Sequence, residues 1–185
     1  MQLSLLINLT HRRWNLPLLA QFHKRPAVKF VTLANALGCS RSALSVSLQS
    51  LRDLGLVQRN EGHGHPMRPE YLLAPSAMDL AKTCAEIHQT LQAWEHRELG
   101  YRKWTLPLVL ATGPEERRFA DLRQLLSPIT ARALALSLKD LEREQWLSRT
   151  VQNDYPPEPR YALGRPGRTL YRLVRGGTIA GRHNG

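Results

Sequence analysis

Two sets of side chains recur at helical spacing in this chain, and their chemistry is that of binding rather than bond-making. The first is Arg41, Ser42, Ser45 and Gln49; the second is Thr130, Ala131, Arg132 and Lys139, about ninety positions further on. Apart from Thr130, which stands just ahead of its helix, the residues of each set fall on the outward side of a helical pattern whose leucines are taken as buried. Guanidinium and ammonium groups placed there can pair with anionic oxygens, while hydroxyl and amide groups can exchange hydrogen bonds with the edges of planar groups. Arg59, Arg68, Arg149 and Arg160 add positive charge in the strand and turn segments that follow. No nucleophile, base and orienting group form a catalytic constellation, and no Gly-rich phosphate loop follows a strand. The expectation is therefore no enzyme and no cofactor. His63-Gly64-His65 offers two imidazoles on a Gly-rich tip without a third ligand at metal-site spacing, so no metal is expected either. Cys39 and Cys84 lie far apart with no C-x-x-C pattern, which fits free thiols in a reducing interior.

The elements that must hold these groups are written as an internal repeat. Leu44, Leu48 and Leu51 are matched by Leu134, Leu138 and Leu141, and intervals of four and three build one apolar stripe on a helix. Ser40 and Thr130 stand just ahead, where a hydroxyl can accept from unpaired first-turn N–H groups. Gly55 closes the first helix with a residue that tolerates left-handed backbone. A short β-type run follows each helix, at Leu56 to Arg59 and at Trp146 to Arg149. After a Gly/Pro-rich tip, a second run resumes at Tyr71-Leu72-Leu73 and at Tyr161-Ala162-Leu163. Two short strands around such a tip form a β-hairpin wing.

Upstream, Arg13-Trp14-Asn15-Leu16-Pro17 is echoed by Lys103-Trp104-Thr105-Leu106-Pro107, each opening a helix with proline in its first turn. The next helices, at Lys29-Phe30 and Arg118-Phe119, are offset by 89, which places a one-residue length difference in the connector before them. Helix, turn, helix and hairpin compose a winged helix-turn-helix. Between the copies, Ser76 to about Glu98 reads as an uninterrupted helix. Its Leu80, Cys84, Ile87, Leu91 and Trp94 form a seam of period near 3.5 that needs another helix to cover it. The expected fold is mainly α with small β wings: two tandem winged helix-turn-helix domains joined by a long helix. Domain 1 covers residues 1–75, the linking or pairing helix 76–99, domain 2 100–175, and a flexible tail 176–185.

Composition agrees with a folded chain of this kind. At 42% hydrophobic and 22% charged residues, both halves can bury a core. The formal charge of +11 is shared, with ten basic against five acidic residues in 1–90 and sixteen against ten in 91–185. A small basic protein attracts polyanions, and double-stranded DNA is the partner expected first. The apolar start, Met1 to Thr10, is too short to span a bilayer and lacks the features of a secretion signal. That fits a cytoplasmic, nucleoid-associated protein with no membrane partner.

Copy two, through Lys103-Trp104-Thr105-Leu106, Arg118-Phe119-Ala120-Asp121-Leu122, Ile129 to Leu134 and Tyr161-Ala162-Leu163, resembles the HxlR-type winged helix-turn-helix regulators of bacteria, a branch related to the MarR group. Copy one resembles them through Arg13-Trp14, Lys29-Phe30, the Ser40 to Leu54 helix and Tyr71-Leu72-Leu73. The resemblance implies a sequence-specific DNA-binding transcriptional regulator. Family members usually carry one such domain and dimerise through flanking helices, so two copies in one chain imply a covalent pseudo-dimer, with a homodimer through the 76–98 helix a further possibility. Neither copy has a cysteine just ahead of its Trp helix, where family members often hold a reactive one. Ser47 and Ser137 stand where the family often has a basic residue. Two other readings fit twin winged helices: a replication initiator, and a protein-interaction scaffold of the chromosome-segregation type, for which Leu136 and the 76–98 stripe would be contact surface.

Overall fold

The six leucines of the two stripes, Leu44, Leu48 and Leu51 with Leu134, Leu138 and Leu141, are each at most 1% exposed, so both stripes point into the protein. The computed structural model describes residues 1–60, 69–151 and 158–177. After α1 (Leu3–Leu9), copy one runs α2 (Asn15–Lys24), β1 (Ala27–Lys29), α3 (Phe30–Leu37), α4 (Arg41–Asp53), β2 (Val57–Asn60) and β3 (Glu70–Leu73). A 3-10 turn at Pro75–Ala77 then leads into α5 (Met78–Gln92). Copy two follows as α6 (Arg97–Gly100), α7 (Thr105–Thr112), β4 (Arg117–Arg118), α8 (Phe119–Leu125), α9 (Ala131–Arg143), β5 (Leu147–Val151), β6 (Pro159–Leu163) and α10 (Arg165–Gly176). The repeat in sequence is a repeat in structure: two winged helix-turn-helix units, mostly helical. Residues 61–68, 152–157 and 178–185 lie outside the described residues, and with them Arg68, the His63/His65 pair and most of the expected tail.

Each copy holds one antiparallel three-stranded sheet, ordered β1-β3-β2 and β4-β6-β5. Arg59 opposes Tyr71, and Arg149 opposes Tyr161, so the two hairpins share one register. The outer strands β1 and β4 differ from the expected two-stranded wing. They are too short for the sequence to show a period of two, and they form because β3 and β6 offer an unpaired edge. Val28 opposes Tyr71 as Arg117 opposes Tyr161, so the 89-residue offset already holds at this strand.

The segment between the copies also departs from expectation. α5 ends at Gln92, and the backbone tightens as Ala93 N–H reaches Thr90 O and Trp94 N–H reaches Leu91 O. The fifteen-residue helix is therefore about 22 Å long, not continuous to Glu98. Packing overrides the helical pattern here: Trp94 turns to meet Trp146 edge-on, centroids 5.1 Å apart at 81°. The seam itself is sealed within the chain. Leu80, Cys84, Ile87 and Leu91 are 0% exposed, covered by α2 with α10 alongside. The apolar stripe expected to await a partner chain is thus already spent.

One hydrophobic cluster runs through both copies. α1 packs on α7, and α10 packs on both α7 and α5. Polar ties reinforce the joint: Thr10 Oγ1 donates to Lys103 O at 2.7 Å, and Arg13 pairs with Glu98. Asn15 and Thr105 are the same buried position in the two copies. Asn15 Nδ2 donates to Leu9 O at 3.0 Å and Thr105 Oγ1 to Leu99 O at 2.7 Å, each closing the turn ahead of its helix. Among the described residues no helix is long and apolar enough to cross a membrane.

Candidate nucleic-acid interface

A helix can offer its first residues to a ligand only if its unpaired N–H groups are satisfied without hiding that end. Both α4 and α9 meet this condition identically. Ser40 Oγ accepts from Ala43 N–H and Thr130 Oγ1 from Ala133 N–H, each at 3.2 Å. Thr130, expected to contact the ligand, accepts here as the cap of α9, and its O–H stays able to donate. Arg41, Ser42, Ser45 and Gln49 in copy one and Ala131, Arg132 and Lys139 in copy two are all exposed, on the faces opposite the leucines.

Two further positions complete each face. Val46 is 45% exposed and Leu136 is 55% exposed, and they occupy equivalent places. Exposed aliphatics at matched sites suit contact with a thymine methyl group.

The faces differ towards the helix C-termini. In copy one Gln49 Nε2 donates to Asp53 Oδ1 at 2.7 Å and Gln49 Oε1 accepts from Arg52 Nη1 at 3.2 Å, which pre-orients the amide. Beside it, Val46, Gln49 and Asp53 form one wall of a groove of about 390 Å³, and Asn8, His11 and Arg12 form the other. Lys103 foremost, then partial burial and Arg12, lower the His11 pKa, which marks this rim as electropositive. In copy two the corresponding stretch is tied down. Asp140 pairs with Arg102 and, at 3.5 Å, with Arg143; Glu144 pairs with His96 and with Arg143, each at 2.9 Å. These pairs are surface ion pairs of small individual worth; Arg102 is engaged in one of them, while its counterpart Arg12 lines the groove in copy one.

Of the wing arginines, Arg59 and Arg149 are exposed on β2 and β5. Arg160 is half-buried on β6, its Nε shielded and without a hydrogen-bond partner among the described residues. On β4, Arg118 is engaged by Asp121 at 3.1 Å and Glu158 at 3.6 Å. The sequence reading singled out neither Arg12 nor His11, although the basic pairs Arg12-Arg13 and Arg102-Lys103 recur at the ninety-residue offset. Among the described residues no group of three or more His, Cys, Asp or Glu could hold a metal ion.

Comparison with known proteins follows the same division. The model of the HxlR-like helix-turn-helix family matches residues 9–100 and again 98–176. An uncharacterised HTH-type transcriptional regulator of Bacillus subtilis (strain 168), YdeP, is 38% identical over 72 residues, covering 39% of this chain and 56% of that protein. A second from the same organism, YybR, is 37% identical over 59 residues, covering 32% of this chain and 47% of that protein. The chain thus spans about half the length of the curated relatives it matches. Among solved structures, a MarR-family regulator from Porphyromonas gingivalis W83 shares 20% identity at a TM-score of 0.41, covering 42% of this chain and 76% of that one. One from Enterococcus faecalis V583 shares 24% at 0.38, covering 51% and 77%.

Proposed function

Because the chain belongs to the HxlR-like helix-turn-helix family, we propose that it is a sequence-specific DNA-binding transcriptional regulator, acting at the nucleoid, whose two copies serve as the halves of a covalent pseudo-dimer. The observation that carries this reading is the pair of capped helices, α4 and α9, with exposed and equivalent outer faces over buried leucine stripes. Their N-terminal residues enter successive major grooves. Arg41, Ser42, Ser45 and Gln49 read bases in one half-site, and Ala131, Arg132 and Lys139 read those in the other, while Arg59, Arg68, Arg149 and Arg160 hold phosphates.

The reading units are residues 1–75 and 100–175, with 76–99 bracing the first against the second. Half-sites then lie about 34 Å apart, one helical turn. Since the two faces carry different side chains, the preferred site is not a palindrome. Pairing with a second chain through the 76–98 segment is not part of this reading, because its seam is covered from within.

The test is a titration of genomic DNA fragments across a salt series. Affinity falls steeply with salt as phosphate contacts release counterions, and Arg41→Ala or Arg132→Ala weakens the preferred site by about 1–3 kcal/mol. Tight binding with a flat salt response, or equal affinity of both variants and the parent, would count against it.

A further inference from the structure

The most one-sided charge in the chain sits on neither α4 nor α9. From Pro159 to Gly185 the sequence holds no aspartate or glutamate, while α10 carries Arg165, Arg168, Arg172 and Arg175. Intervals of three, four and three bring the four to one face of the helix, and all are exposed. The opposite face is core, with Gly167, Leu170 and Val174 buried. Arg168 Nη1 donates to Leu163 O at 2.6 Å. Among the described residues, the guanidinium groups of Arg165, Arg172 and Arg175 have no hydrogen-bonding or acidic partner. Like charges three and four residues apart destabilise a helix, and although Arg175 gains from the negative end of the helix dipole, no acidic side chain among the described residues pairs with the stripe. The fold does not demand the stripe either: the equivalent positions of copy one are Pro75, Met78, Lys82 and Ala85.

Three observations choose among polyanions. The apolar face of α10 is consumed by the core, so the helix cannot lie in a membrane interface with that face inserted. None of the exposed large hydrophobic residues belongs to α10, whereas protein interfaces centre on buried aromatic and aliphatic anchors. A duplex backbone needs no such centre, presenting one charge per about 1.7 Å of axis, and the guanidinium fork matches phosphate oxygens. Position adds a constraint. A Cβ on Gly164 or Gly167 would lie 2.0 or 2.3 Å from the carbonyl oxygens of Gln145 and Trp146. The start of α10 is therefore pressed against the turn that follows α9, and the stripe leads off from the end of α9 opposite its Thr130 cap.

We propose that the outer face of α10 is a second, sequence-independent DNA contact, which holds the phosphate backbone of the duplex flanking the stretch presented to α9. The proposal rests on the DNA-binding reading for the location of that duplex, but not for the charge of the stripe. The experiment titrates the full chain against random-sequence duplexes of about 15 and about 40 base pairs across a salt series. The variants are R165A/R172A/R175A and its charge-preserving counterpart R165K/R172K/R175K, with thermal melts confirming the fold. On the long duplex the alanine variant loses roughly two to three units of log–log salt slope, the lysine variant keeps it, and on the short duplex all three proteins agree. An unchanged slope on the long duplex would overturn the proposal, as would equal loss on both lengths. Stripe-dependent capture of an acidic protein with unaltered DNA binding would overturn it in favour of a protein partner. A separate R41A/R132A variant keeps the failures apart: if it binds the short duplex like the parent, the pseudo-dimer reading fails while the length-dependent gain from α10 still stands.

Discussion

Gln145 holds a backbone position that glycine fills in the other copy. It follows α9 at φ 58°, in the left-handed conformation that Gly55 adopts at φ 69° after α4. A side chain there is strained by about 1–2 kcal/mol, part of which glycine returns to the unfolded chain as entropy. Gln145→Gly should therefore raise stability by about 1 kcal/mol, seen as a higher urea midpoint at constant m-value; an unmoved midpoint would show that the turn is relaxed. Cys84 makes a second residue-level test. Complete burial pushes its thiol up to about 12 from an ordinary value of 9. The native thiol should resist alkylation until the protein unfolds. Because the unfolded chain loses this proton first, stability falls as pH rises from 9 towards 12, and a Cys84→Ala variant should show a smaller fall.

At the scale of elements, the two caps carry the site. Ser40→Ala and Thr130→Ala should each cost about 1 kcal/mol in stability. They should also weaken DNA binding by fraying the turn that bears Arg41 or Arg132, and restoring a hydroxyl by Ser40→Thr should recover both. α4 and α9 were legible because the local signals agree there, cap and leucine interval in both and a glycine stop after α4. The strands flanking each tip were legible for the same reason. β1 and β4 were not, since three residues and two residues cannot show a period, and their partner strand lies some forty positions away. The end of α5 was missed because Trp94 leaves the helix to meet Trp146 edge-on, a contact that no window of local sequence contains. Half of the candidate interface was legible as the polar faces of two helices. The other half, Asn8, His11 and Arg12 across the groove from Gln49, is assembled by the packing of α1 and the turn after it. Distances between elements decide those contacts, and residue intervals do not encode them.

The molecule as a whole behaves as one packed body in which the two copies share a core, and its joint should respond to pH. His88 on α5 meets Tyr101, just after α6, with Nδ1 2.7 Å from the phenol oxygen, while Gln92 Nε2 donates to the same oxygen at 3.0 Å. Burial first, then Lys24, lowers the His88 pKa below its ordinary 6.5. Arg13 and Arg97, also lining the cleft beside it, add no compensating negative charge, and Glu98 there is already paired with Arg13. The sign follows from linkage. The unfolded chain takes up the proton at a higher pH than the folded one, so stability is whole above 6.5 and declines as pH falls below it. Urea unfolding between about pH 7.5 and pH 5 should show that decline, and His88→Asn, which cannot titrate, should lessen it. Since His88 and Tyr101 join α5 of copy one to the entry of copy two, acid should loosen the coupling of the copies before it melts either. Hydrogen exchange would then rise first in α5 and α6 while α4 and α9 stay protected. A pH profile in which His88→Asn follows the parent would remove the histidine from this role.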